Sequence, residues 1–215
     1  MRIELTSISA RGNGEELDVA FVFDTPGMDR ERAVFTISSR QYLSLSLMRG
    51  ETDEETAEAV EHASNVWAAT KKGILLLGYG AVSPKAMRTK LISKGFDKTV
   101  AEEAAEELVA MGLIVPDSDA SALARRCVAK LWGRKRIAAE LYEKGYSSNA
   151  VDAAMAYLED SQIDFAGNCR ALIEKRYDTL PSDITERKRL YAALCRYGYS
   201  SSEIKQAMEG MRPDR

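Results

Sequence analysis

Histidine is nearly missing from these 215 residues, with His62 standing alone. A catalytic His needs an orienting partner, and a zinc site needs further ligands at short spacing, so one isolated His on an acidic stretch reads as a solvated or capping residue. Cysteine is also scarce: Cys127, Cys169 and Cys195 are odd in number and lack CxxC spacing. That fits buried thiols in a reducing compartment better than a disulfide framework. Apolar runs such as Ile74 to Leu77 fall far short of the roughly 20 residues that span a bilayer. The first twenty residues show no basic segment followed by an apolar one, so the chain is expected to be cytoplasmic, with no membrane partner. Phosphate loops are missing as well. Gly12-Asn13-Gly14 and Gly78-Tyr79-Gly80 each supply half of one, without the strand before, the helix after, or the remaining Gly or Lys, and read as turns. Glu102-Glu103 and Glu106-Glu107 recur on successive turns of one helix with no companion acid or base, which is a solvated face. No catalytic residue, metal ligand or cofactor is assigned, and the expectation is a protein that is not an enzyme.

What the sequence does contain is one phrase written three times: Leu91-Ile92-Ser93-Lys94-Gly95-Phe96, Leu141-Tyr142-Glu143-Lys144-Gly145-Tyr146 and Leu194-Cys195-Arg196-Tyr197-Gly198-Tyr199. The glycines lie 50 and 53 positions apart. Met87, Ile137 and Leu190 precede each Leu by four residues, the spacing of neighbours on one helix face. Each phrase therefore ends a helix, with Gly in a left-handed cap and the aromatic folded back on the last turn. A second helix follows at once. Thr99 with Glu102 and Ser200 with Glu203 read as capping boxes, and Ser147 or Ser148 caps the middle copy.

Residues 1–50 instead have a period of two. Ile3 and Leu5, then Leu17, Val19, Phe21 and Phe23, then Phe35 and Ile37 alternate with polar residues, predicting an antiparallel sheet of about three strands that must lean on a helix. That helix starts near Asp53, carries Val60, Trp67 and Ile74 at heptad spacing, and is expected to bend or break at Gly73. Ser83-Pro84 opens the next. Eight helices then follow over 84–94, 99–111, 119–132, 134–144, 149–160, 163–177, 183–196 and 201–211. The fold predicted is mainly α: a β extension over 1–50, then three-helix repeats over 53–113, 114–160 and 161–211, each with a long first helix. Stacking of such units builds an elongated, curved body.

Charge is uneven. Residues 1–70 hold six Lys+Arg against thirteen Asp+Glu, and residues 120–215 hold seventeen against thirteen. Arg125, Arg126 and Lys130 close one helix, and Arg134, Lys135 and Arg136 open the next beside Trp132. The helix dipoles favour the first trio and oppose the second by similar amounts, about 0.3–1 kcal/mol each. Local helix stability therefore does not account for the cluster, which suits phosphates or an acidic protein surface. Lys175, Arg176, Arg189 and Arg196 extend the trend into the third repeat. The competing reading is a solvated face with Trp132 in the core.

At this point the sequence resembles the RecX family, bacterial regulators of the RecA recombinase. The resemblance rests on residues 83–96, on Lys130-Leu131-Trp132-Gly133 and residues 137–146, on Lys175-Arg176-Tyr177 and on Tyr197-Gly198-Tyr199; Leu45 to Glu51 is similar to the N-terminal extension of some members. It implies tandem three-helix repeats and a protein that binds the RecA–DNA filament, lies in its groove, and reduces ATP hydrolysis and strand exchange. Its partner would be the RecA filament, with DNA bound weakly or within that filament; apart from the resemblance, an elongated monomer is the simplest expectation for such a chain. Two departures stand out: Pro116 to Ser121 keeps acidic residues but lacks the family's aromatic, and Gly80, Ala81 and Val82 replace basic residues. The first repeat is therefore expected to contribute less to binding. A rival reading is a stand-alone DNA-binding protein, although no repeat shows an evident base-reading helix.

Overall fold

The computed structural model describes residues 1–211. Four strands, β1 (Arg2–Arg11), β2 (Glu16–Asp24), β3 (Glu31–Ser38) and β4 (Gly50–Thr52), form an antiparallel sheet in the order β3-β2-β1-β4. Turns at Gly12-Asn13-Gly14 and at Thr25-Pro26-Gly27 join the first three. The expectation of three strands omitted β4, whose three residues pair with Ile3, Glu4 and Leu5 and are too few to show a period. It also omitted α1 (Ser39–Leu45), whose Ser38 and Gln41 form a full capping box.

Ile3, Leu5, Val19, Phe21 and Ile37 cluster with Ala57, Val60 and Ala63 of α2 (Glu54–Leu77), so the sheet does lean on that helix. Asp53 caps α2 by accepting from the backbone N–H of Thr56. The buried residues of α2 follow helical three- and four-residue steps, from Ala57 and Val60 to Thr70 and Gly73. The strict heptad set drifts off this stripe, leaving Trp67 half-buried and Ile74 exposed. Nor does α2 break at Gly73. A Cβ there would come within 2.5 Å of the Leu108 side chain and 3.5 Å of Met87, so this glycine admits its neighbours while the helix runs on.

The remaining helices are α3 (Pro84–Ser93), α4 (Lys98–Ala110), α5 (Pro116–Ala129), α6 (Arg134–Glu143), α7 (Ser148–Asp160), α8 (Phe165–Glu174), α9 (Ile184–Arg196) and α10 (Ser201–Glu209). The helical repeats are thus present, with α2 against α4, α5 against α7 and α8 against α10 as the main pairings. Small residues such as Ala104, Ala124 and Ala154, all fully buried, let these pairs approach closely. The first helix is the longest of its group for α2 and α5, with 24 and 14 residues, but not for α8, which stops at ten against thirteen in α9.

The chain divides into two compact units, one of residues 1–80 and 87–113, the other of 81–86 and 114–211 among the described residues. In the second, one core runs from Ala120 through Leu141, Leu158 and Phe165 to Tyr199 and Ile204.

All three repeated phrases end their helices as expected. Gly95, Gly145 and Gly198 have φ of +96°, +84° and +93°. The N–H groups of Phe96, Tyr146 and Tyr199 return to the carbonyls of Leu91, Leu141 and Leu194 at 3.3, 3.1 and 3.3 Å, the closure of a Schellman turn. Ser147 caps α7, and Ser200 with Glu203 completes a capping box on α10. Thr99 does not cap α4, which begins one residue earlier, after Asp97.

Candidate partner-binding face

The last turn of α5 and the first of α6 present most of the basic residues, and α9 supplies the aromatic that divides them. Leu131 turns the chain at φ +57°, and the buried Tyr199 donates its hydroxyl to the Leu131 carbonyl at 2.9 Å. Beside this bond Gly133 donates its N–H to the Tyr197 carbonyl at 2.8 Å, and Lys135 donates to the Gly198 carbonyl at 3.1 Å. A helix start thus sits directly on a helix end, with N–H groups meeting the carbonyls that the end leaves unpaired. Backbone contact this close needs glycine on both sides. A Cβ on Gly133 would lie 2.3 Å from the Gly198 carbonyl carbon, and one on Gly198 would lie 2.4 Å from the Arg136 nitrogen.

This joint aims the side chains. The Arg136 guanidinium lies 3.9 Å from the Trp132 ring centre and 5.0 Å from that of Tyr197, and the Lys130 ammonium is 5.4 Å from Trp132. Such contacts hold a cation over a ring while leaving its outer edge to solvent. Trp132 also packs against the core, so the two readings of this residue are not exclusive. Tyr197 is one wall of a cleft of about 300 Å³ that Lys175 and Arg176 border from the end of α8.

The basic residues singled out from the sequence therefore separate. Lys130, Arg136, Lys175 and Arg176 are brought together around Trp132 and Tyr197. Arg126 and Lys135 are exposed nearby in the chain, and among the described residues neither they nor Lys175, Arg176, Arg189 and Arg196 have an ion-pair partner. Arg189 and Arg196 lie exposed on α9. Arg125 turns to α7, 5.6 Å from the Tyr157 ring centre. Arg134 is committed inward: it lies 4.1 Å over Phe165 and pairs with Glu203. Tyr197 was not singled out as a site residue, although a signal exists. It occupies the place before the repeated Gly where the other phrases have Lys94 and Lys144.

His62 places Nε2 2.9 Å from each Glu103 carboxylate oxygen, Arg88 meets Glu102 at 3.3 Å and Arg40 meets Glu107 at 3.3 Å. The acidic row is thus largely paired rather than merely solvated. Cys127 and Cys169 are buried as expected, but Cys195 is exposed. Burial pushes the Cys169 thiol up to about 12 and raises that of Cys127, which keeps both protonated and unreactive. Among the described residues, no group of three or more His, Cys, Asp and Glu could hold a metal ion, and no helix is long and apolar enough to cross a membrane.

The fold and this face define a tandem three-helix-repeat protein with an aromatic-braced cationic surface. A family model described as RecX, third three-helix domain, matches residues 164–208. Regulatory protein RecX of Xanthomonas axonopodis pv. citri (strain 306) is 30% identical over 126 residues, covering 58% of this chain and 76% of that protein. The counterpart from Xanthomonas oryzae pv. oryzae (strain MAFF 311018) is 31% identical over 58% and 77%, and that from Halorhodospira halophila (strain DSM 244 / SL1) is 28% identical over 57% and 75%. Among solved structures, a crystal structure of regulatory protein RecX matches with a TM-score of 0.70 at 20% identity, covering 96% of this chain and 99% of that one. RecX from Lactobacillus salivarius matches at 0.60 and 21%, covering 69% and 97%; these two bear on the fold. The chain belongs to the RecX family.

Proposed function

We propose that this protein restrains the cognate RecA recombinase by binding the RecA–DNA filament, reducing ATP hydrolysis and strand exchange without chemistry of its own. The observation that carries this reading is the Lys130–Trp132–Arg136–Tyr197 stack, which borders the cleft edged by Lys175 and Arg176. Cations braced on rings lose less freedom when they bind than free side chains do, so such a face favours association with phosphate or acidic protein. Family membership supports RecA as the partner. Binding that bridges neighbouring recombinase subunits would resist the rearrangements of ATP turnover, and occupying the groove would obstruct a second duplex. In this reading the protein works in the cytoplasm as a monomer, and the second and third repeats, 114–160 and 161–211, carry most of the contact.

The test is DNA-stimulated ATP hydrolysis by the cognate RecA, with this protein well below the recombinase concentration. A variant with Arg126, Lys130, Lys135 and Arg136 changed to Ala is compared at equal helix content. Arg134 is left intact because it pairs with Glu203. Inhibition by the wild type and its loss in the variant are expected. No inhibition by the wild type, with salt-sensitive binding to DNA alone, would instead establish the stand-alone DNA-binding reading.

A further inference from the structure

The cleft between the end of α8 and the face of α9 has a composition of its own. Leu172, Ile173, Leu190 and Leu194 form its apolar interior with Ala193, and Lys175, Arg176, Tyr177 and Tyr197 complete its border. Ile173 and Leu194 are buried in the core, while Lys175 and Arg176 are exposed. An aliphatic hollow of about 300 Å³ is at the small end of ligand sites and takes one large side chain rather than a cofactor. Its two cations have no ion-pair partner among the described residues, as noted above, so an acidic group beside the hollow would find uncompensated charge.

We propose that this cleft takes a single Phe, Leu or Met side chain presented by an acidic, extended segment of a protein partner. The aliphatic walls distinguish this occupant from a nucleobase. A base carries polar edges that require hydrogen-bond partners when buried, and Leu172, Leu190, Ala193 and Leu194 offer no side-chain donor or acceptor. An apolar side chain loses nothing there, and acidic neighbours on its own chain meet Lys175 and Arg176 at the border. The inference deepens the proposed function by giving the partner's contact a chemistry, and it rests on that reading only for the partner's identity.

The test uses the full chain and fluorescence anisotropy. The probes are a labelled peptide of Asp, Glu, Gly and Ser with one central Phe, the same peptide with Ala in place of Phe, and a labelled oligo(dT) of equal charge. The Phe peptide is expected to bind at least about tenfold more tightly than the Ala peptide, the effect of burying one large apolar side chain. Ala193→Phe, which fills the hollow, should erase that difference while leaving the weaker charge-driven binding; Arg176→Glu should weaken both peptides and retain their ratio. Equal affinity of the two peptides for the wild type overturns the proposal, whatever the variants do. Displacement of the Phe peptide by oligo(dT), with oligo(dT) binding lost in Ala193→Phe, assigns the cleft to nucleic acid and overturns it too. Recombinase inhibition measured alongside keeps the readings separate: a wild type that discriminates the peptides but does not inhibit sinks the regulator and leaves the cleft standing.

Discussion

Gly133 and Gly198 meet backbone to backbone, so that a Cβ on either would fall within 2.5 Å of the other's strand of chain. The contact joins the first turn of α6 to the last of α9 and sets Arg136 between Trp132 and Tyr197. A related contact occurs at the middle phrase, where Ser83 Oγ donates to the Lys144 carbonyl at 2.7 Å while accepting from the N–H of Ala86 at 3.1 Å. A Cβ on Gly145 would lie 3.1 Å from the Ser83 hydroxyl and the Lys85 side chain. The Gly95 turn differs, because a Cβ there meets nothing within 4 Å.

The three glycines therefore predict unequal costs for one substitution. Gly95→Ala bears only the left-handed backbone penalty, about 1 kcal/mol. Gly198→Ala adds a clash with the Arg136 backbone and should cost at least about 3 kcal/mol. Urea unfolding checks this, following Trp67 for Gly95→Ala and Trp132 for Gly198→Ala, so that each change is read in its own unit. Equal losses at the two sites would mean that the joint yields without cost.

Those turns were legible because a left-handed helix end is encoded by one residue type at one place, and the alternation of Ile3, Leu5, Val19 and Phe21 shows the sheet for the same local reason. β4 and α1 were not read, since three and seven residues hold too little of any period. The charge cluster was visible by counting along the chain. Its division was not: Arg134 and Arg136 are two residues apart, yet one meets Phe165 and Glu203 while the other meets Trp132 and Tyr197. Those partners lie 31 and 69 positions away for Arg134 and up to 61 for Arg136, beyond the reach of local spacing. Trp132 is the exception, four residues before Arg136.

The cysteines predict a thiol count. Cys195 is exposed, whereas Cys127 and Cys169 are buried with raised pKa values. A disulfide reagent such as Ellman's at neutral pH should titrate one thiol rapidly in the native protein and three in denaturant. Rapid reaction of two or three native thiols would show that the α5–α10 core opens readily.

Glu16 makes the first unit sensitive to acid. Its carboxylate accepts from the Lys71 ammonium at 2.7 Å and from the Trp67 indole at 2.9 Å, and those bonds, Lys71 first, hold its pKa below the usual 4.5. A lowered folded-state pKa means that the ionised form favours folding, so the contribution is complete above the unfolded value and is lost as pH falls through the folded one. Trp67 fluorescence in a Trp132→Phe background should therefore change as pH drops below about 4.5, and Glu16→Gln should already show part of that change at pH 7. An identical acid transition in both proteins would exclude Glu16 as its source.

Arg134 and Arg136 finally predict a crossed result. The Glu203 side chain is only 12% exposed and is shared between Arg134 and the capping box of α10. Arg134→Ala leaves that carboxylate with its cap alone and exposes Phe165, which should cost about 1–3 kcal/mol while leaving the outward cations in place. Arg136→Ala removes a cation that stacks at the surface, where such contacts are worth about 0.5–1 kcal/mol, so stability should change little. Its effect should fall on partner binding, as a weaker inhibition of recombinase ATP hydrolysis at unchanged helix content. Chemical denaturation and inhibition assays on both variants form the check. If Arg134→Ala abolished inhibition at full stability while Arg136→Ala inhibited normally, the inward and outward assignments would have to be exchanged.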